Sequence, residues 1–426
     1  GGGILSKRAR ADAVLSVLFC AGLACMLVLI MGTYTYNQIA KRTGLVQFNR
    51  YNALATFPFK HTENHAPARK SFSAEVKNTI LAAEAKITQY AQQQFFCSRP
   101  IAAISKRFGK LLGLDMTSSS GVETPIISVG EDWLGTPFKK ADVSENVQKT
   151  VAFAAQMEAE GRNFVVFENP HKHATHLCYA DYYEENRKAV NDALLANDVR
   201  VIDIDDYMQQ HAIDPKSIFF KTDHHWNPRA GLWANALLCE YLNEHFGYSI
   251  STEIFDIAHY TVQTLERSFL GSYGTTVTTL YAEKEDFELL LPKYETDLSV
   301  FRSCIGKTVR GTIPETLYDF KMLHWQNTVN YGFYTGSESL IAVHNNNLHD
   351  DSSLLFIHFS FGDVQIPTLS QVAEDFYAID LRAFNGSLQT FIKEKNPQTV
   401  VLAYPTTCFS AGETQNDSGK QYFDFD

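Results

Sequence analysis

The chain is short of the features that would make it a nucleic-acid binder, a disulfide scaffold or a zinc ribbon. Its 37 Lys and Arg face 48 Asp and Glu, a formal charge of -11, whereas a phosphate backbone needs a basic face. Seven cysteines at positions 20, 25, 97, 178, 239, 304 and 408 form no CxxC pair and no zinc-ligand spacing, which argues against both a stapled small fold and a structural zinc. With 13 Pro and 24 Gly in 426 residues and no internal repeat, there is no disordered or collagenous bias. What is present is core material: hydrophobic residues make up 45%, and 30 Phe with 20 Tyr bring the aromatics to 13%. That composition suits a large packed interior or sugar-facing platforms. The length allows roughly two or three domains.

Residues 13–32 form one uncharged run, AVLSVLFCAGLACMLVLIMG, long enough at about 1.5 Å per residue to cross a hydrocarbon layer of about 30 Å. It exceeds a signal-peptide core, and Thr33, Tyr34 and Tyr36 follow as an interfacial belt. The expectation is an uncleaved single-pass anchor. Lys7, Arg8 and Arg10 precede it closely, while Lys41, Arg42 and Arg50 lie beyond, which places residues 1–12 in the cytoplasm and the rest outside. With Asp12 the tail carries +2, so the remainder carries -13 (-11 less +2).

Residues 33–120 read as a stem and helical region that ends at the Ser118-Ser119-Ser120 linker. Beyond it, hydrophobic periodicity alternates. Helices are predicted over 144–161, 182–196, 228–246, 365–374 and 388–394, and strands over 163–167, 199–204, 217–221, 354–359, 377–381 and 399–403. Such β/α alternation implies an α/β domain over 121–405, a parallel sheet covered by helices on both faces. Residues 255–345 break the pattern as an insertion of short strands and loops, and 406–426 is a polar tail expected to fray.

The densest chemical cluster is Thr222-Asp223-His224-His225-Trp226, between a predicted strand and helix, the address at which parallel-sheet proteins build sites. An Asp-x-His pair can set a carboxylate on one ring nitrogen and leave the other as a base; the competing roles are capping and packing. Two adjacent histidines are expected to point to different sides, leaving one of them chemical. His171, His173, His176 and Cys178 offer zinc-type ligands without a second cluster of matching spacing, and Asp203, Asp205 and Asp206 either hold a hard cation or cap the next helix. No metal and no cofactor is assigned.

The run Lys221-Thr222-Asp223-His224-His225-Trp226-Asn227-Pro228, through Gly231, resembles the motif that names the DHHW protein family, related to the alginate O-acetyltransferases of SGNH-hydrolase-like fold. Gly130 to Leu134, Pro170 with Lys172, and Phe269 to Gly274 resemble further landmarks of that group in order. The resemblance covers about 125–405. It implies an SGNH-hydrolase-like parallel sheet flanked by helices, with Asp223 and His225 as catalytic carboxylate and base. The family's serine element, followed by Pro-x-Leu and Asp-Leu-Arg, aligns with Ser360, then Pro367-Thr368-Leu369 and Asp380-Leu381-Arg382, although His358-Phe359 replace the expected Lys/Gly-Asp. A register through Gly362-Asp363 puts Val364 at the nucleophile and spoils the later spacing. Tyr331, Phe333, Gly336, Ser337 and Leu340 resemble the segment implied to hold an oxyanion, with Ser337 in place of Asn.

Together with the anchor read from residues 13–32, the resemblance implies a membrane-anchored extracytoplasmic O-acetyltransferase or esterase that forms an acyl-Ser360 on the way to a cell-surface glycan; Trp226 and Lys172 are candidate substrate contacts, Trp226 equally a packing residue. A polytopic membrane acyltransferase would supply the acyl group. The other class is a catalytically silent relative that binds glycan or scaffolds that partner, with His358, Phe359 and Ser337 as its marks; Ser360 would then cap the following helix.

Overall fold

The computed structural model describes residues 126–128, 133–174, 180–277, 282–324, 328–336, 338–410 and 422–426. The chain divides into two compact units, Gly1–Ser105 and Lys106–Asp426, and every described residue lies in the second. The expected anchor, the tail before it and the expected stem lie outside the described residues; among those described, no helix is long and apolar enough to cross a membrane.

In chain order the main elements are β1 (Ile127–Ser128), β2 (Leu134–Gly135), α1 (Ser144–Ala159), β3 (Asn163–Glu168), α2 (Tyr183–Leu195), β4 (Val201–Asp203), α3 (Ile204–Gln210), α4 (Pro215–Ile218) and α5 (Pro228–Phe246). There follow β5 (Tyr260–Phe269), α6 (Ser272–Val277), β6 (Glu285–Pro292), β7 (Leu298–Arg302), β8 (Lys307–Gly311), α7 (Ile313–Thr316) and β9 (Leu340–Asn345). The last third holds β10 (Ser353–His358), α8 (Ile366–Leu369), β11 (Asp375–Ile379), α9 (Leu388–Lys395) and β12 (Thr399–Ala403).

An eight-stranded sheet runs β4-β3-β12-β10-β11-β9-β7-β8. Its first five strands are parallel, and the last three, all from the 255–345 insertion, join antiparallel. The sheet is therefore mixed, which corrects the expectation of a parallel one. The added strands were legible as strands: β7 and β9 alternate buried and half-buried positions, the period of a sheet. Their partner was not, because β9 pairs with β11 across a non-local connection.

The parallel strands are apolar throughout because both faces are covered. One face sets Val165, Phe167, Phe356 and Val401 against α5 residues Ala234, Leu238 and Leu242. The other sets Phe164, Val166, Leu355 and Val400 against Phe153, Val190 and Ile392 of α1, α2 and α9. The α5 start follows its sequence: the Asn227 side chain accepts the Ala230 N–H, and Pro228 fills the first turn, where a missing N–H is harmless.

Three local expectations fail for identifiable reasons. The strand predicted over 217–221 does not form: Ser217 and Ile218 end the turn α4, capped by Asp214, whose side chain accepts the Lys216 N–H, and Phe219 makes a single antiparallel bridge to Trp226. The helix predicted over 365–374 shortens to α8, and a 3-10 turn over Ser360–Val364 precedes it. The tail does not fray to its end: Phe423 and Phe425 are buried, Phe425 stacks on Phe153 with centroids 4.3 Å apart, and Asp426 O accepts the Leu388 N–H.

Candidate active site

Ser360 opens a 3-10 turn straight after β10, the strand flanked by β11 and β12 in the sheet. Its hydroxyl lies 2.7 Å from Nε2 of His225, 135 residues earlier in the chain. Nδ1 of the same ring lies 2.6 Å from Oδ1 of Asp223. The three residues thus form a continuous carboxylate, imidazole and hydroxyl relay at the carboxyl ends of the parallel strands, the usual position for a site in such sheets. Ser360 is half-buried, while Asp223 and His225 are buried.

The Asp223 loop is pinned from several directions. Oδ1 also accepts the His225 N–H at 2.9 Å, and Oδ2 accepts the Ser272 N–H at 2.5 Å. Gly271 is required beside it: a Cβ there would come within 2.2 Å of the Asp223 Cβ. The Glu285 carboxylate accepts both the Lys221 and Thr222 N–H groups, at 2.8 and 2.7 Å. Burial works to raise the Asp223 carboxyl, yet the His225 and His224 imidazoles and the donated hydrogen bonds hold it well below the usual carboxylate range.

His225 is also fixed in plane. The Tyr331 ring stacks on it with centroids 4.0 Å apart and planes 12° apart, and His224 lies against it at 3.8 Å. The adjacent histidines therefore do not face opposite sides as an extended segment would require; the loop curls and brings both rings to Asp223, with His224 Nδ1 at 3.3 Å from Oδ1. His171 continues the column, stacked on His224 at 5.5 Å. Burial holds His171 down to about 3 and His224 well below its ordinary value.

The two substrate candidates point inward. Trp226 is fully buried, and its Nε1 donates to Phe361 O at 2.8 Å. Lys172, 2% exposed, donates to the carbonyls of Phe220, Lys221 and Asp223 beneath the loop. Of the oxyanion candidates, Ser337 lies outside the described residues. Gly336 is held at φ 71° beside Arg302, with its N–H donated to Gly332 O at 2.7 Å, so that amide is already occupied. The Ser360 and Phe361 N–H groups donate to no acceptor among the described residues.

The departures from the serine element are accommodated. His358 is buried under the strand end and kept neutral by burial, and Phe359 lies under the Arg382 guanidinium, 3.7 Å from its centroid. Val364, the nucleophile of the competing register, is buried against Gly231.

Metal-type clusters are engaged elsewhere. Asp223, His224 and His225 bring ligand atoms within 4.8 Å of one another, but both His225 nitrogens already bond Asp223 and Ser360. His173 pairs with Asp181 at 2.6 Å and His171 Nδ1 faces Lys172 O at 3.2 Å; His176 and Cys178 lie outside the described residues. Asp203 caps α3 by accepting the Asp206 N–H, and Asp205 accepts from the Tyr183 hydroxyl, which is the structural role of that acidic run. Sequence reasoning missed Glu285, Tyr331's stacking and the reach of Ser272; Tyr331 and the Gly271-Ser272 pair were visible only as members of noted segments.

Residues 130–267 match the family profile of the SGNH hydrolase-like domain of acetyltransferase AlgX. Among solved structures the chain is similar to PatB1 of Bacillus cereus, at 19% identity and a TM-score of 0.57, covering 71% of this chain and 100% of that one. A structure of the same protein with a sulfonyl adduct gives 19% and 0.56, over 68% and 97%. A DHHW family protein from Eubacterium siraeum gives 16% and 0.53, over 68% and 92%. No curated protein matches the chain. The resemblance drawn from the DHHW run thus holds, and the domain is SGNH-like with a mixed central sheet.

Proposed function

We propose that this chain, whose residues 130–267 match an acetyltransferase SGNH hydrolase-like domain, transfers an acyl group through Ser360. The observation that carries the reading is the 2.7 Å contact between His225 Nε2 and the Ser360 hydroxyl, backed by Asp223 at 2.6 Å on the other nitrogen. A serine hydroxyl is a weak nucleophile until a base takes its proton. His225 would take it as Ser360 Oγ attacks an acyl carbonyl, and the ionised Asp223 would stabilise the imidazolium and fix its tautomer. The Ser360 and Phe361 N–H groups are the donors we assign to the oxyanion, where each is worth about 2.7 to 4 kcal/mol. His225 returns its proton to the leaving group, giving an acyl-Ser360. It then deprotonates a sugar hydroxyl or water, whose attack releases the serine.

The acetyl group, the cell-surface glycan and delivery of the acyl donor by a polytopic membrane acyltransferase belong to the same proposal. So does an extracytoplasmic domain held by residues 13–32 as a single-pass anchor. The description of the matched family, an acetyltransferase domain, supports the acetyl choice.

The test is hydrolysis of p-nitrophenyl acetate by the purified chain. Ser360→Ala and His225→Ala are each expected to lower kcat about 10⁴-fold or more, and a sulfonyl fluoride should label Ser360. A folded protein with neither hydrolysis nor label would instead be the silent glycan-binding or scaffold relative.

A further inference from the structure

Lys172 has no part in the proton transfers described above, yet it is one of the most deeply buried cations among the described residues. Its ammonium sits beneath the segment that carries Asp223 and His225. It donates to Phe220 O at 2.5 Å, Lys221 O at 2.7 Å and Asp223 O at 3.2 Å, and lies 4.0 Å from the centre of the Trp133 ring. Three N–H donors thus meet three carbonyls of the 220–223 segment, the full capacity of an ammonium group.

We propose that Lys172 is a positioning residue: its ammonium form holds the 220–223 backbone in the curl that aims Asp223 at His225 and His225 at Ser360. The inference rests on the acyl-serine reading for its functional meaning, though the loop geometry stands without it. The alternative of a substrate-contacting lysine does not fit, since all three donors point at main chain and the side chain is buried.

The ammonium is also protonation-sensitive. Burial brings Lys172 down to about 7, against the opposing pull of Glu285 and Asp223; His224 and the Tyr273 ring, 6.0 Å away, complete its ionisable surroundings. Once the proton leaves, two donors remain for three carbonyls, and the long bond to Asp223 O is the first to go. The sign distinguishes this from unfolding. Because the unfolded chain keeps that proton to a higher pH, the Lys172 contribution to global stability rises between about 7 and 10.4, while loop order falls.

The experiment follows amide exchange protection at residues 220–225 and the rate at which a sulfonyl fluoride labels Ser360 in the full-length chain from pH 6 to 9. Loop protection should fall tenfold to a hundredfold as pH rises, the equivalent of one hydrogen bond from a charged donor, and Ser360 labelling should fall by the same factor relative to Lys172→Arg at each pH, while amides of β10 and β12 keep their protection. Lys172→Arg, which keeps its charge, should show no such fall, and Lys172→Met should be loose at every pH. Loop protection that is flat with pH in the wild type, or unchanged in Lys172→Met, overturns the proposal; if Lys172→Met does not fold, the wild-type pH series decides. Should protection behave as stated while Ser360 is labelled at no pH, the lysine assignment stands and the acyl-serine reading fails.

Discussion

Replacing Gly271 by Ala tests whether the placement of Asp223 governs the rate. The added Cβ would sit 2.2 Å from the Asp223 Cβ, 2.3 Å from Oδ2 and 2.6 Å from Cγ. Ordinary contact begins near 3.4 Å, so the carboxylate or the α6 loop must retreat by about 1.2 Å (3.4 less 2.2). Neither can do so freely. Oδ2 is tied to the Ser272 N–H at 2.5 Å, and Oδ1 to two groups of His225. A shift of that size breaks at least one of these bonds and tilts the imaginary line from carboxylate to Ser360. Misplacement by about 1 Å costs about 10²-fold, equivalent to about 2.7 kcal/mol of barrier. We therefore expect kcat for p-nitrophenyl acetate to fall about 10²-fold per titrated site, with KM within about threefold. Thermal unfolding should also show an overpacking penalty of about 1 to 3 kcal/mol. A folded Gly271→Ala protein with a kcat within a few-fold of wild type would refute the claim that this contact holds the relay.

The stacked ring on His225 predicts that Tyr331→Phe keeps Ser360 labelling near wild type, whereas Tyr331→Leu, which removes the ring 4.0 Å away, slows it about tenfold, as one aromatic contact of ~0.5 to 1.5 kcal/mol allows. Equal labelling rates in the two variants would remove that role. Glu168, bonded to Asn191 and Thr406 in the core, is pushed up to about 8 by burial; its folded form holds a proton that the unfolded form loses, so stability drops as pH rises from about 4.5 to 8. Glu168→Gln should cancel that drop, gaining up to about 4 kcal/mol at pH 8 relative to pH 5 in denaturant titrations; an unchanged slope would count against a neutral Glu168. Phe423→Ala should cost about 3 to 5 kcal/mol in the same assay if the chain end truly packs, and a loss below about 1 kcal/mol would return it to a frayed tail.

Much of the site could be read in advance because its parts are local. The Asp223-His224-His225-Trp226 run sits before a helix capped by Asn227 and opened by Pro228, and Ser360 follows an apolar strand; both are short-range patterns. What closed the gap between them was the family resemblance, since periodicity says nothing about which loops meet. Glu285 shows the limit. It is a carboxylate at the start of β6, which pairs antiparallel with β5, and only the fold places it on the Thr222 N–H, 63 residues away. The paired histidines show another: alternation of side chains holds for extended backbone, not for a loop drawn inward by a buried ammonium. Likewise, Lys172 and Trp226 were legible as residues of the site, but whether they face solvent or main chain depends on packing.

The order of the parts along the chain has a consequence for biosynthesis. The strand that delivers the hydroxyl sits inside the sheet between two neighbours made after it, and the base precedes it by 135 residues. During translation the imidazole emerges long before anything exists for it to deprotonate, and the sheet can close only when the final strand slots in. On the acyl-serine reading, a polypeptide that ends before β12 lacks one neighbour of the strand that leads to Ser360, and is expected to be inert.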